Sequence, residues 1–158
     1  MRLGTWALVT LIGSAGTAFG QIAPADTAPY CTDLKRIVAL AVNRLGFESI
    51  AGRPREGDFR LTTLPLPGWR ECSLYGRTTY TCDSRVFQTV DKATQAHAQD
   101  VDQILSCLAG AWSLIEDRSS PGYAVLHAAN GLASMTVSLD QTGNNEHIVR
   151  LTLFTRAR

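Results

Sequence analysis

The sequence predicts one α+β domain, a single antiparallel sheet with two main helices on one face. Three observations lead there. Two stretches place apolar residues at helical steps of three and four, and two cysteines lie at mirror positions about a turn at Arg77. Near the C-terminus, Asn130-Gly131 stands between alternating segments and is the strongest short hairpin signal in the chain.

The 158 residues fit one domain. Fifteen Lys+Arg oppose fourteen Asp+Glu, and 45% of residues are hydrophobic, so a disordered chain and a basic nucleic-acid arm are excluded. Residues 1–20 read as a secretory signal peptide: Arg2, an apolar run from Leu3 to Ile12, then Ala18-Phe19-Gly20 with the small-x-small spacing of a cleavage site. That run is too short for a membrane span, which takes about twenty residues. Cleavage leaves 138 residues (158 − 20) from Gln21, with fourteen basic against fourteen acidic residues once Arg2 is gone. A periplasmic or extracellular location is expected.

Residues 21–30 (QIAPADTAPY) read as a flexible lead-in to a disulfide-stapled domain over 31–158. Thr32 or Asp33 is the expected cap of a first helix. Leu34, Ile37, Val38, Ala41 and Leu45 form its apolar stripe, and Gly46 its stop. A turn-rich loop, 52–57, precedes a strand at Phe59 to Thr63 that Pro65 and Pro67 end. A hairpin centred on Arg77 pairs Cys72 with Cys82, Leu74 with Tyr80 and Trp69 with Arg85. A second helix is expected from Ser84, with Val86, Val90, Ala93, His97, Val101, Ile104, Leu105 and Leu108 at helical spacing and Gly110 at its end.

The remainder reads as three strands. A turn at Asn130-Gly131 pairs Leu126 with Met135 and Ala124 with Val137, and on the other face His127 with Ser134, Val125 with Thr136 and Tyr123 with Ser138. Val149, Leu151 and Leu153 of the last strand share the apolar parity. A shift of 65 residues matches Leu40 to Leu105, Arg53 to Arg118, Gly57 to Gly122 and Leu61 to Leu126, which points to duplicated αβββ halves. The order of helices and strands is shared with several unrelated folds and carries no function.

In an oxidising compartment the four cysteines pair. Hairpin symmetry favours Cys72–Cys82, which leaves Cys31–Cys107 to pin one helix to the other; two other connectivities remain open. Spacings of 41, 10 and 25 fit neither a zinc site nor a redox pair, so no metal is expected.

Chemical motifs are absent. There is no G-x-S-x-G, S-x-x-K, H-E-x-x-H, G-x-G-x-x-G or Walker sequence, and no catalytic residue or cofactor is assigned. His97 falls on the buried stripe of its helix, while His127 and His147 have opposite strand parity. Asp100 and Asp102, Glu116 and Asp117, and the loop arginines Arg53, Arg55 and Arg60 read as solvated surface.

One surface stands out, the sheet face away from the helices. Its expected contact patch is Tyr123, His127, Arg150 and Phe154, aromatics and an arginine among small hydroxyl residues. The expected function is a small exported protein-interaction module, an inhibitor, immunity-like or accessory protein whose partner is another exported or envelope protein. The alternatives are a carrier of a small apolar ligand and an enzyme without a recognisable motif, for which His127, Tyr123 and Arg150 are the candidates.

Overall fold

A computed structural model of the chain describes residues 27–118 and 122–155. The expected signal peptide, residues 1–20, lies outside the described residues. Two helices and eight strands follow in order: α1 (Thr27–Val42), β1 (Ala51–Pro54), β2 (Phe59–Thr62), β3 (Glu71–Tyr75), β4 (Thr79–Asp83), α2 (Val90–Cys107), β5 (Trp112–Arg118), β6 (Tyr123–Ala128), β7 (Ala133–Gln141) and β8 (His147–Thr155). All strands join one antiparallel sheet in the order β1-β2-β3-β4-β8-β7-β6-β5, so the central β4–β8 pair joins the two halves. Each half holds a helix followed by four strands, not the three expected.

Both helices pack on the same face. Leu34, Ile37, Val38 and Ala41 of α1 and Ala93, Val101 and Ile104 of α2 are buried against the inward residues of the sheet, among them Leu74, Tyr80, Leu126, Met135, Val137, Leu151 and Leu153. His97 joins this core as expected. Its Nε2 lies 3.0 Å from the Val137 carbonyl oxygen, which can only accept, so Nε2 carries the proton and donates. The expected hairpin registers are present: Cys72 opposite Cys82, Leu74 opposite Tyr80, and all five β6–β7 pairs from Tyr123↔Ser138 to His127↔Ser134. Asn130 accepts from the Leu132 amide with its side-chain oxygen, while Gly131 takes the left-handed conformation that closes the turn.

The disulfides are Cys31–Cys107 and Cys72–Cys82, with Cα–Cα distances of 5.2 and 4.1 Å. The first joins α1 to the end of α2 and the second crosses β3–β4. Both are compatible with an oxidising, extracytoplasmic compartment.

Several boundaries differ from expectation. Helix α1 starts at Thr27, so the lead-in is shorter than residues 21–30: Pro29 sits in the first turn, where an amide has no helical partner to lose, and Tyr30 is buried. The helix closes before Leu45, which is 68% exposed. Leu45 N donates to Leu40 O and Arg44 N to Ala41 O, and Arg44 takes φ +56°, so Arg44 rather than Gly46 terminates it. Helix α2 starts at its cap Thr89, whose hydroxyl accepts from Lys92 N, and not at Ser84. Residues 84–87 instead extend the β4 pairing along β8: Ser84 N donates to Val149 O, and Phe87 and His147 exchange both backbone bonds. Accordingly Val90 is exposed, and Trp69 does not pair with Arg85.

Two strands were absent from the expectation, and they are the two sheet edges. Strand β1 contains Gly52 and Pro54, and its pairing with β2 slips between Ala51 and Pro54. An edge strand tolerates proline because its outward amide has no ladder partner. Strand β5 shifts register between Leu114 and Glu116, which breaks the alternation a strand normally shows.

Candidate functional site

In an antiparallel sheet, directly paired residues project to the same face, and strands lie about 4.8 Å apart. The observed registers therefore sort the outward face into three transverse rows. The first runs Phe59, Tyr75, Thr79, Phe154, Ser134, His127 across five strand junctions from β2 to β6. The second runs Leu61, Ser73, Thr81, Thr152, Thr136, Val125. The third runs Glu71, Asp83, Arg150, Ser138, Tyr123. One row is aromatic at one end, one is mostly hydroxyl, and one is charged.

The aromatic row holds the exposed apolar surface of this face. Phe59, Tyr75 and Phe154 are 43%, 49% and 38% exposed, and the Phe59 and Tyr75 rings lie 5.1 Å apart in a tilted pair. In the hydroxyl row, Thr81 Oγ1 donates to the Leu151 carbonyl at 3.1 Å and lies 3.3 Å from Thr152 Oγ1. The charged row is tightly paired. Arg150 donates from Nε and Nη2 to the two oxygens of Asp83 at 2.7 and 3.1 Å, a bidentate geometry, and its Nη1 lies 2.9 Å from Asp140 Oδ2. The hydrogen bonds that Arg150 donates to Asp83 hold the guanidinium above its ordinary range, so it stays charged. At the edge, Arg55 pairs with Glu71. Between the aromatic and charged rows lies a groove of about 520 Å³, with Ser73, Thr81 and Thr152 on its floor.

All four expected contact residues stand on this face, as their strand parity requires: Tyr123 and Arg150 in the charged row, His127 and Phe154 in the aromatic row. They do not form one cluster. Strand β7 lies between Phe154 and His127 and between Arg150 and Tyr123 in the sheet order, and Arg150 is engaged by two carboxylates. The groove lies on β2, β3, β4 and β8 instead, with Phe59 and Tyr75, which sequence reasoning did not select. A signal for Tyr75 was present: once Cys72 and Leu74 face the core, Ser73 and Tyr75 must face out. Phe59 needed the β2–β3 register, which sets it opposite Tyr75 and turns Arg60 inward beside Leu74.

No histidine lies near a second one in these registers. His127 faces outward opposite Ser134 and Ser113, His97 is in the core, and His147 pairs with Gln141 at the start of β8. Among the described residues no group of three or more His, Cys, Asp or Glu side chains could hold a metal ion. Among them, no helix is long and apolar enough to cross a membrane. Comparison with protein-family models, with curated proteins and with solved structures finds no match.

Proposed function

We propose that the protein is a small exported interaction module, of the inhibitor, immunity-like or accessory kind, that binds another exported or envelope protein through its outward sheet face. One observation carries this reading: the helices and the main core cluster lie on one side of the eight-stranded sheet, and on the other side the described chain leaves three aromatics at the surface. Aromatic anchors beside a satisfied polar row have the composition of an interface centre with its rim. Export is supported by the signal-like N-terminus and by the two disulfides. The test is affinity capture from the native envelope fraction with wild type and with Tyr75→Ala and Phe154→Ala. A partner retained by wild type and lost by both variants supports the reading. Equal capture by all three overturns it.

A second reading has its own observation. A cleft of about 600 Å³ opens between the C-terminal ends of α1 and α2 and the β5–β6 pair, lined by Val38, Val42, Leu108 and Trp112. It suits a small apolar ligand. Mass spectrometry of organic extracts of the native protein tests this, and an empty extract rejects it.

A further inference from the structure

The cleft between the ends of α1 and α2 and the β5–β6 pair differs from the other cavities in its charge. The sheet-face groove is lined by arginines and carboxylates together, and a smaller cavity beside Trp69 by Arg85 and Asp100. In the cleft, Lys35 is the only charged lining residue, and the surrounding wall is mostly apolar. Its volume of about 600 Å³ lies well inside the range of small-molecule sites, roughly 300–1,000 Å³. The walls are held in place before any ligand arrives. Cys31–Cys107 ties α1 to the end of α2 one turn before Lys35, Trp112 pairs with Ala128, and Ala129 N donates to Ala111 O at 2.9 Å.

The fold does not use the Lys35 ammonium. Lys35 is exposed and makes no ion pair among the described residues, and Asp33, the acid nearest to it on α1, pairs with Arg36 at 3.3 Å. The other polar side chains of the cleft do not oppose an anion. Ser106 is exposed, and its hydroxyl can donate. Asn130 spends its side-chain oxygen on the Leu132 amide, which leaves its amide nitrogen as a donor. Helical spacing then orders the cleft. Lys35, Val38 and Val42 stand at i, i+3 and i+7 on one face of α1, so the apolar wall runs about 10 Å from the lysine at 1.5 Å per residue. Leu108 and Trp112 add the larger apolar side chains of the lining.

We propose that the cleft binds a medium-chain fatty acid anion, with its carboxylate on Lys35 and its tail along Val38 and Val42 against Leu108 and Trp112. The proposal rests on the reading of the cleft as a site for an apolar ligand, and adds the head group, the direction and the chain length. One cation without a nearby carboxylate matches a single negative charge, and an apolar wall of about 10 Å matches a tail of medium length. A neutral hydrocarbon would gain nothing from Lys35. A cationic amphiphile would set its charge beside the ammonium.

The experiment is calorimetric titration of the purified protein with decanoate, hexanoate and decyltrimethylammonium, each kept below micelle formation. Decanoate should saturate with a Kd of about 1 mM or tighter. Hexanoate should bind at least about ten-fold more weakly, because its shorter tail covers less of the apolar wall. Decyltrimethylammonium should also bind about ten-fold more weakly, with attraction to Lys35 replaced by repulsion. Lys35→Gln should weaken decanoate about three- to five-fold, the scale of an exposed ion pair, and Lys35→Glu should reverse the order of the two head groups. Ala39→Phe, at an exposed position of α1 that lines the cleft, should abolish binding with the melting temperature unchanged. Tyr75→Ala on the sheet face should leave the decanoate affinity intact. Equal binding of both head groups, with Lys35→Gln without effect, overturns the proposal and leaves the cleft an apolar-ligand site. No saturation by any of the three at about 10 mM removes both readings. Binding that survives Ala39→Phe and is lost in Tyr75→Ala overturns the assignment to this cleft.

Discussion

Arg44 and Gly46 both adopt left-handed backbone, and for different reasons. Arg44 closes α1, a position where glycine avoids the strain of a side chain. Arg44→Gly should therefore raise the stability by about 0.5–1 kcal/mol in urea unfolding. Gly46 cannot be exchanged in this way. A Cβ there would lie 2.8 Å from the Arg77 carbonyl oxygen, which also accepts from the Phe47 amide, so the turn after α1 is locked against the β3–β4 turn. Gly46→Ala should cost about 2 kcal/mol or more by the same measurement. Asp100 predicts a pH effect. Burial holds its carboxyl up to about 6, from the ordinary 3.8, against the pull of Arg85. Between those values the folded chain keeps a proton that the unfolded chain has released, so this group's contribution is present at low pH and is lost as pH rises through 6. Because solvent reaches part of the carboxyl, Asp100→Asn should stabilise by about 1–2 kcal/mol at pH 7, and the gain should vanish near pH 4. An equal gain at both pH values would remove burial of the charge as the cause.

At the scale of elements, the two disulfides differ in the loops they close. Cys31–Cys107 spans 76 residues and ties α1 to α2, whereas Cys72–Cys82 spans 10 and reinforces strands that already pair. Chain entropy assigns the first about 4–5 kcal/mol and the second about 3. Replacing Cys31 and Cys107 by alanine should thus lower the melting temperature more than replacing Cys72 and Cys82. The reverse order would show that lost packing in the β3–β4 pair outweighs chain entropy. The elements themselves were unequally legible. Helical stripes identified both helices, though not their starts, and the mirrored cysteines and the Asn130-Gly131 turn gave the registers of two hairpins, because each is a local pattern. Strands β1 and β5 were missed because edge strands carry bulges, and a bulge erases the period of two. The stretch after Ser84 was assigned to a helix because Val86 fits its stripe; the actual partners of Ser84 and Phe87, Val149 and His147, lie more than fifty residues away in sequence.

At the scale of the molecule, one face of the sheet packs against both helices and the other carries exposed aromatic rings. Phe154→Ala and Tyr75→Ala remove exposed rings and should change stability by less than about 1 kcal/mol, yet weaken the captured partner about ten-fold or more. Thermal melting and the binding assay read the two effects separately. Arg150 behaves differently from the expectation for a free surface anchor, since Arg150→Ala leaves Asp83 and Asp140 without their common cation. Its half-exposed setting limits the loss to about 1 kcal/mol, and the difference from wild type should shrink in high salt. A change in partner affinity for Arg150→Ala that survives high salt would place the residue in the interface itself.

The sequence by itself determined the α+β class, the core parity of the hairpins and the outward placement of Tyr123, His127, Arg150 and Phe154, and it favoured the cysteine pairing that the structure shows while leaving two others open. These follow from periodicity and from turn symmetry, which are local. Only the tertiary structure decided that β4 pairs with β8, and with that pairing came the groove between Tyr75 and Arg150. It also brought Tyr30, Trp69, Arg85 and Asp100 around one cavity from four separate parts of the chain. Strand order and helix packing are settled by which apolar surfaces and open edges are left to meet, and no spacing within a single element encodes that choice.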